Sequence, residues 1–277
     1  MADEPAPLDQ QVQHRVDEQG VAWITLNRPE VKNAISPDQR DRVIRLLGEA
    51  GEQLAVRAVV IGATGNAFCT GADLRAGQSR PPRPDGAPDR AQGDVARLIR
   101  HGAQQLVAAV LDCEKPVIAS VNGTAAGIGA HLAFACDLVV AADSARFIEV
   151  FVRRGLVPDG GGAYLLPRLV GVAKAKELLF LGDDVPAADA LRMGLVNQVV
   201  PAAELETATA DLAHRLAAGP TRALALTKWL VNRSLESDRA GAFGDEAWAQ
   251  ELNMGTADAQ EGVSSFVERR RPEFRGW

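Results

Sequence analysis

Lys115-Pro116-Val117-Ile118-Ala119-Ser120-Val121-Asn122-Gly123-Thr124-Ala125-Ala126-Gly127-Ile128-Gly129 is the stretch that decides the architecture. Its first half is a short apolar run that stops at Asn122-Gly123, the pattern of a buried strand followed by a turn. Its second half is a Gly-rich turn that enters a helix. The strand signal recurs upstream, from Arg57 to Ile61 with Gly62 as its end, and in Val21-Ala22-Trp23-Ile24-Thr25-Leu26, which breaks at Asn27-Arg28-Pro29. Between those two runs, Ser36 as N-cap and Pro37 at the first helical position predict a helix to Ala50 that puts Val43, Ile44 and Leu47 on one face. Strands separated by helices predict an α/β fold, with the site in the Gly-rich turns at strand ends.

With 277 residues, 47% hydrophobic and 24% charged, the chain has the composition of an ordinary globular protein, long enough for one large core plus an appendage. The net charge of -6 leaves no basic footprint, which argues against nucleic acid and against an anionic membrane surface. Cysteines at 69, 113 and 136 are far apart and form no Cys-x-x-Cys pair, so neither a disulfide framework nor a bound metal is expected. The acidic start Met1-Ala2-Asp3-Glu4-Pro5, with no apolar run near the ~18 residues of a membrane span, predicts a cytoplasmic chain.

Three regions follow from the pattern: a loose tail over residues 1–10, a core over 11–200 and a helical region over 201–277. The last is helical from Pro201 to Phe266, with a stop at Ala218-Gly219-Pro220 and with Leu224, Val231 and Leu235 at helical multiples. Leu224, Trp229, Leu230, Phe243 and Trp248 are more apolar bulk than a peripheral appendage hides by itself, which predicts self-association. Arg80 to Gly93, rich in Pro, Gly and charge, reads as a surface loop that serves either as a lid or as a solvated insertion.

The most chemical stretch is Gly155-Leu156-Val157-Pro158-Asp159-Gly160-Gly161-Gly162, which sets one carboxylate on a Gly-rich bend before a helical Ala163-Tyr164-Leu165-Leu166. An acid among apolar neighbours has a raised pKa and can pass a proton near neutrality. An Asp before glycines at a helix start also serves as a cap, and by itself this segment favours the cap. Gly123 to Gly129 lacks the G-x-G-x-x-G spacing, and no G-x-x-x-x-G-K-[ST] loop occurs, so NAD and ATP are disfavoured. The turn offers instead backbone N–H groups at a helix N-terminus, where negative charge is held. Phe68-Cys69-Thr70-Gly71-Ala72-Asp73-Leu74 offers a second such turn. Two converging amides would stabilise an oxyanion.

Taken in order, Asn27 to Ala34, Phe68 to Leu74, Lys115-Pro116 through Gly129, Cys136-Asp137-Leu138, Gly155 to Gly162 and Glu261-Gly262 with Phe266 resemble the crotonase (enoyl-CoA hydratase/isomerase) superfamily over roughly residues 12 to 275. The resemblance implies a spiral of ββα turns, a C-terminal helical trimerisation region giving homotrimers or homohexamers, and an acyl-CoA thioester substrate. No cofactor is implied beyond the coenzyme A that the substrate carries. By position, the oxyanion donors are the amides of Ala72 and Ile128, the second commonly glycine in the family. Hydratases of the family use two glutamates, and His131 and Phe151 stand at those positions.

The Pro-Asp turn is instead similar to the phenylacetate-pathway ring-epoxide isomerase subgroup, with support from Ala125-Ala126-Gly127 and Leu165-Leu166-Pro167-Arg168. That likeness makes Asp159 the acid/base of an enolate isomerisation, with a hydratase or other reaction using His131, or a non-catalytic acyl-CoA-binding protein, as the alternatives. His131 is a second catalytic candidate or a satisfied core residue. Glu149 is expected to be exposed, and Asp73 to fix its turn. Substrate contacts implied by the resemblance fall on Arg28, Val31, Lys32, Ala34, Thr70, Leu74, Gly127, Gly129, Phe151 and Phe266, and on Arg269 from a neighbouring subunit.

Overall fold

A computed structural model describes residues 6–75, 84–88 and 91–277. Among the described residues ten strands form two sheets: β1 (Val12–Val16), β2 (Val21–Leu26), β3 (Ala58–Ala63), β4 (Ala67–Cys69), β5 (Val117–Val121), β6 (Thr124–Ala126), β7 (Leu138–Ala142), β8 (Arg146–Ile148), β9 (Asp184–Pro186) and β10 (Gln198–Val200). The larger sheet has the order β1-β2-β3-β5-β7-β10, and the smaller β4-β6-β8-β9. Consecutive strands therefore alternate between sheets: β3 with β4, β5 with β6, β7 with β8. Each pair leads into helix, which is the ββα spiral that the sequence resemblance implies.

Helices α1 (Leu8–Gln11), α2 (Pro37–Glu52), α3 (Asp94–Arg100), α4 (Ala103–Leu111), α5 (Ile128–Ala135), α6 (Gly162–Leu181) and α7 (Ala187–Met193) pack around the sheets. Beyond them lie α8 (Leu205–Ala217), α9 (Thr221–Ser234), α10 (Arg239–Met254) and α11 (Ala257–Glu268). The α2 start is as read: the Ser36 hydroxyl accepts from the Gln39 amide at 3.3 Å, and the Gln39 side chain accepts from the Ser36 amide at 2.9 Å. This reciprocal pair satisfies two donors that a helix end leaves open. Val43 and Leu47 are buried, and Ile44 packs against the core.

Two local readings change. Gly62 does not end its strand, because β2 continues alongside and pairs Thr25 with Gly62 and Leu26 with Ala63. The tail gives way earlier than expected, to the helical turn of α1 and then to β1, whose antiparallel pairing with β2 runs from Val12 opposite Leu26 to Val16 opposite Ala22. Only Val12 of β1 is buried, so no alternation marked this edge strand in the sequence. The surface-loop expectation for Arg80 to Gly93, lid or solvated insertion, falls partly outside the described residues, which lack 80–83 and 89–90.

The core joins the inner faces of the larger sheet to α2, α4, α5 and α8. At its centre α5 is buried along its whole length. A helix apolar all round is what a fully enclosed position demands, and His131 is its one polar side chain. No helix among the described residues is long and apolar enough to cross a membrane.

Candidate active site

Parallel pairing of β4 with β6 sets Cys69 opposite Ala125, so the turns that follow the two strands run side by side. Gly129 lies so close to the Cys69 carbonyl that a Cβ there would stand 2.1 Å from its oxygen, which excludes any larger residue. On one side of this seam is Ala72, exposed, whose carbonyl neighbour Gly71 accepts from Ile35 N while Asp73 N donates to Ile35 O, both at 2.9 Å. On the other is Ile128, the first residue of α5, following Gly127 at φ 54. The amide of a first helical residue has no acceptor inside its own helix. Gly127 N itself donates to Ile148 O at 3.0 Å, so that amide is committed to the sheet.

The Asp159 turn sits on the start of α5. A Cβ on Gly160 would come 2.3 Å from Ile128 Cδ1, and one on Gly162 would come 2.2 Å from His131 Nε2. Only glycine lets the bend approach this closely. The cap that the segment favoured is not made: the N-cap of α6 is Gly161, and no side chain caps that helix. Asp159 is half-buried, and burial pushes its carboxyl above the usual range. A carboxyl without a capping duty, set against the apolar start of α5, is suited to proton exchange.

His131 is fully buried and its Nε2 lies 3.0 Å from Glu149 Oε2. Phe151 stacks on the imidazole with ring centroids 5.3 Å apart and planes 13° apart. The two positions that the sequence resemblance sets against the hydratases' glutamates are thus in contact, filled by an imidazole and a phenyl ring. Glu149, expected to be exposed, is 5% exposed. No local signal marks this, because burial depends on β8 pairing with β6, which carries the residue after Ile148 alongside the α5 start.

The first motif is held by its own side chains. Arg28 Nη1 lies 2.9 Å from Asp73 Oδ2 and donates to Gln39 Oε1 at 3.2 Å, while Asp73 Oδ1 accepts from Arg75 N at 3.0 Å. Asp73 therefore fixes its turn as expected, and the Arg28 guanidinium is engaged within the fold rather than presented outward. Asn33, given no role by the sequence, is buried at φ 54 and ties the loop down by accepting from Arg28 N and donating to Thr64 O and Ala67 O. Thr70 donates its hydroxyl to Lys32 O at 3.1 Å, and the Lys32 side chain is exposed. Val31 and Ala34 are partly buried beside it, and Leu74 is 79% exposed.

Phe266, 84% exposed, and Arg269, the left-handed C-cap of α11, belong to the helical region. Among the described residues no hydrogen bond or ion pair joins either to the motif turns. The basic side chain engaged there is Arg270, bound to Glu261. The three cysteines are buried and unpaired, and burial raises the Cys69 thiol to about 11.

The family model for enoyl-CoA hydratase/isomerase matches residues 16–276. The chain belongs to that family. It is 39% identical to a "Probable enoyl-CoA hydratase" of Rhodobacter capsulatus, over 93% of this chain and 95% of that protein. It is 36% identical to the 1,2-epoxyphenylacetyl-CoA isomerase of Escherichia coli, over 94% of this chain and 96% of that protein. The crystal structure of an enoyl-CoA hydratase from Mycobacterium smegmatis superposes with a TM-score of 0.86 at 35% identity, covering 98% of this chain and 99% of that one. As a member of the enoyl-CoA hydratase/isomerase family the chain is an enzyme acting on acyl-CoA.

Proposed function

We propose that the enzyme isomerises its acyl-CoA substrate, shifting a double bond or rearranging a ring, with Asp159 as the acid/base. The observation that carries this reading is the Asp159 turn: a half-buried carboxyl, raised by burial and released from capping, seated on Ile128 and His131. Loss of a proton next to a thioester makes an enolate, and the amides of Ala72 and Ile128 hold the developing oxyanion. Asp159 then returns the proton at another carbon, a transfer that needs one group within reach of both positions. Backbone at Val31, Ala34, Ala72 and Leu74 receives the adenine and pantetheine, and Lys32 with a neighbouring subunit's Arg269 meets the phosphates. Copies of the chain associate through the C-terminal helices as trimers or hexamers in the cytoplasm.

Hydration is the second reading, favoured by the Glu149 carboxylate bonded to His131, which restores one buried acid close to a position where hydratases carry theirs. Mass spectrometry on a panel of acyl-CoA esters separates the two. Isomerisation gives a product of unchanged mass at a new chromatographic retention time, whereas hydration adds a water; a panel returned at its original mass and retention time overturns both readings.

A further inference from the structure

His131 and Glu149 form a buried ion-pairing couple that leaves two atoms without protein partners among the described residues, His131 Nδ1 and Glu149 Oε1. A buried polar atom left unpaired is destabilising, so each needs a reason. Oε1 has one. Glu149 lines a small cavity together with Asp183 and the apolar Phe134, Phe147 and Leu178, with room for about one water molecule that would satisfy it. Nδ1 does not border that cavity. It lies beneath the Asp159 turn, where a Cβ on Gly160 would stand 3.6 Å from it.

A purely structural role predicts a different arrangement. Burying a carboxylate and an imidazole costs more than their attraction returns unless the remaining atoms are satisfied, and an apolar pair would fill α5 and β8 with less penalty. The chain also keeps residue 162 as glycine, without which the imidazole could not occupy its place, since a Cβ there would overlap the ring at 2.2 Å from Nε2 and 2.4 Å from Cε1. Phe151 on the ring face fixes the remaining freedom.

We propose that Glu149 is a positioning residue that holds His131 with its proton on Nε2, so that the Nδ1 lone pair faces the Asp159 turn as a second proton acceptor. An ionised carboxylate accepts only, so a bond from Nε2–H to Oε2 fixes the tautomer. Two acceptors then stand at neighbouring places, Asp159 on the turn and the buried Nδ1 beneath Gly160, so that a proton taken from the substrate has a second group to go to. The role assigned to His131 rests on the reading of the Asp159 turn as the reacting centre; the tautomer does not.

Nitrogen-15 NMR of the full-length chain labelled at histidine tests the tautomer directly. The chain has four histidines, and His14→Gln, His101→Gln and His214→Gln assign the His131 signals by elimination. The expected result is a proton on Nε2 in the wild type and a mixture of tautomers in Glu149→Gln, whose amide can donate as well as accept. With the acyl-CoA converted by the wild type, Glu149→Gln and His131→Asn each lower kcat about tenfold to a hundredfold, at or below the lower end of what losing a proton-transfer group costs, with KM little changed. The double variant falls no further than either single one. If Glu149→Gln does not fold, His131→Gln with Glu149→Gln replaces both partners, leaves no lone charge, and shows the same kcat loss. A wild-type His131 protonated on Nδ1 overturns the proposal while leaving the isomerase reading intact. Wild-type kcat in Glu149→Gln overturns it as well, making the pair packing alone. Hydration products with the expected tautomer sink the isomerase reading and keep this one.

Discussion

Helices α5 and α10 bury their residues very differently. Every residue of α5 is enclosed, whereas in α10 only Ala249 is buried while Phe243 is 63% and Trp248 71% exposed. The first helix is completed by its own chain, because strands on both sides and the Asp159 turn close over it. The second carries large aromatic rings that its own chain leaves in water, beside Trp229 at 46% and Leu252 at 68%. Apolar faces of this kind mark association surfaces. On the proposed reading, the enclosed α5 start carries the reacting centre and the exposed apolar face of α10 is the expected contact between chains.

The sharpest way to break the first half of this comparison is to remove a donor at the start of α5. Ile128→Pro keeps a residue suited to the first helical position but has no N–H, so turnover is expected to fall about 10²–10³-fold. Circular dichroism showing retained helix makes the result decisive, and unchanged turnover removes the oxyanion role of this amide.

Asp159→Asn comes next, with an expected loss of about 10² or more in turnover and retained acyl-CoA binding by calorimetry. Its stability moves in the other direction. Because burial raises the folded-state pKa above the unfolded value, the native state holds the proton more tightly, and stability is lost as pH rises through the folded value. The substitution removes that loss, so thermal melting near neutral pH is expected at or above the wild type. A clear drop in melting temperature would return Asp159 to a structural duty.

For the second half of the comparison, Phe243→Asp combined with Trp248→Asp is expected to dissociate the assembly, read by sedimentation, while β-sheet signals persist. A wild-type chain that sediments as a monomer at micromolar concentration would end the idea of an intermolecular surface. The smallest effect is expected at Ser36→Ala, which loses the α2 cap and about 1 kcal/mol of stability, measured by denaturant unfolding, with no change in association.

Much of the fold was readable because its signals are local. The β2 and β5 runs, the Ser36-Pro37 helix start and the Gly219-Pro220 break each show in a few adjacent residues, and the structure places strands, helix and chain break there. The motif turns were readable too, since glycine is required wherever backbone must approach backbone, as Gly129 does at Cys69. The engagement of Arg28 by Asp73, 45 residues on, was not. Nor was the anchoring of Asn33 to Thr64 and Ala67, which depends on the loop meeting β3 and β4.

The order of the motifs, the two turns able to offer amides, the Pro158-Asp159 carboxylate between them and the helical region, and the family resemblance that joins them are all written along the chain. The tertiary structure decided which side chains meet. Asp159 could have been a cap until Gly161 was found in that place, and Glu149 reads as an exposed acid until β8 is laid beside β6. Periodicity and turn chemistry act over a few residues, so they are written along the chain. The contact of His131 with Glu149, 18 residues apart, exists only because the register of parallel strands, set by burial across the whole core, brings one strand end to the next helix start.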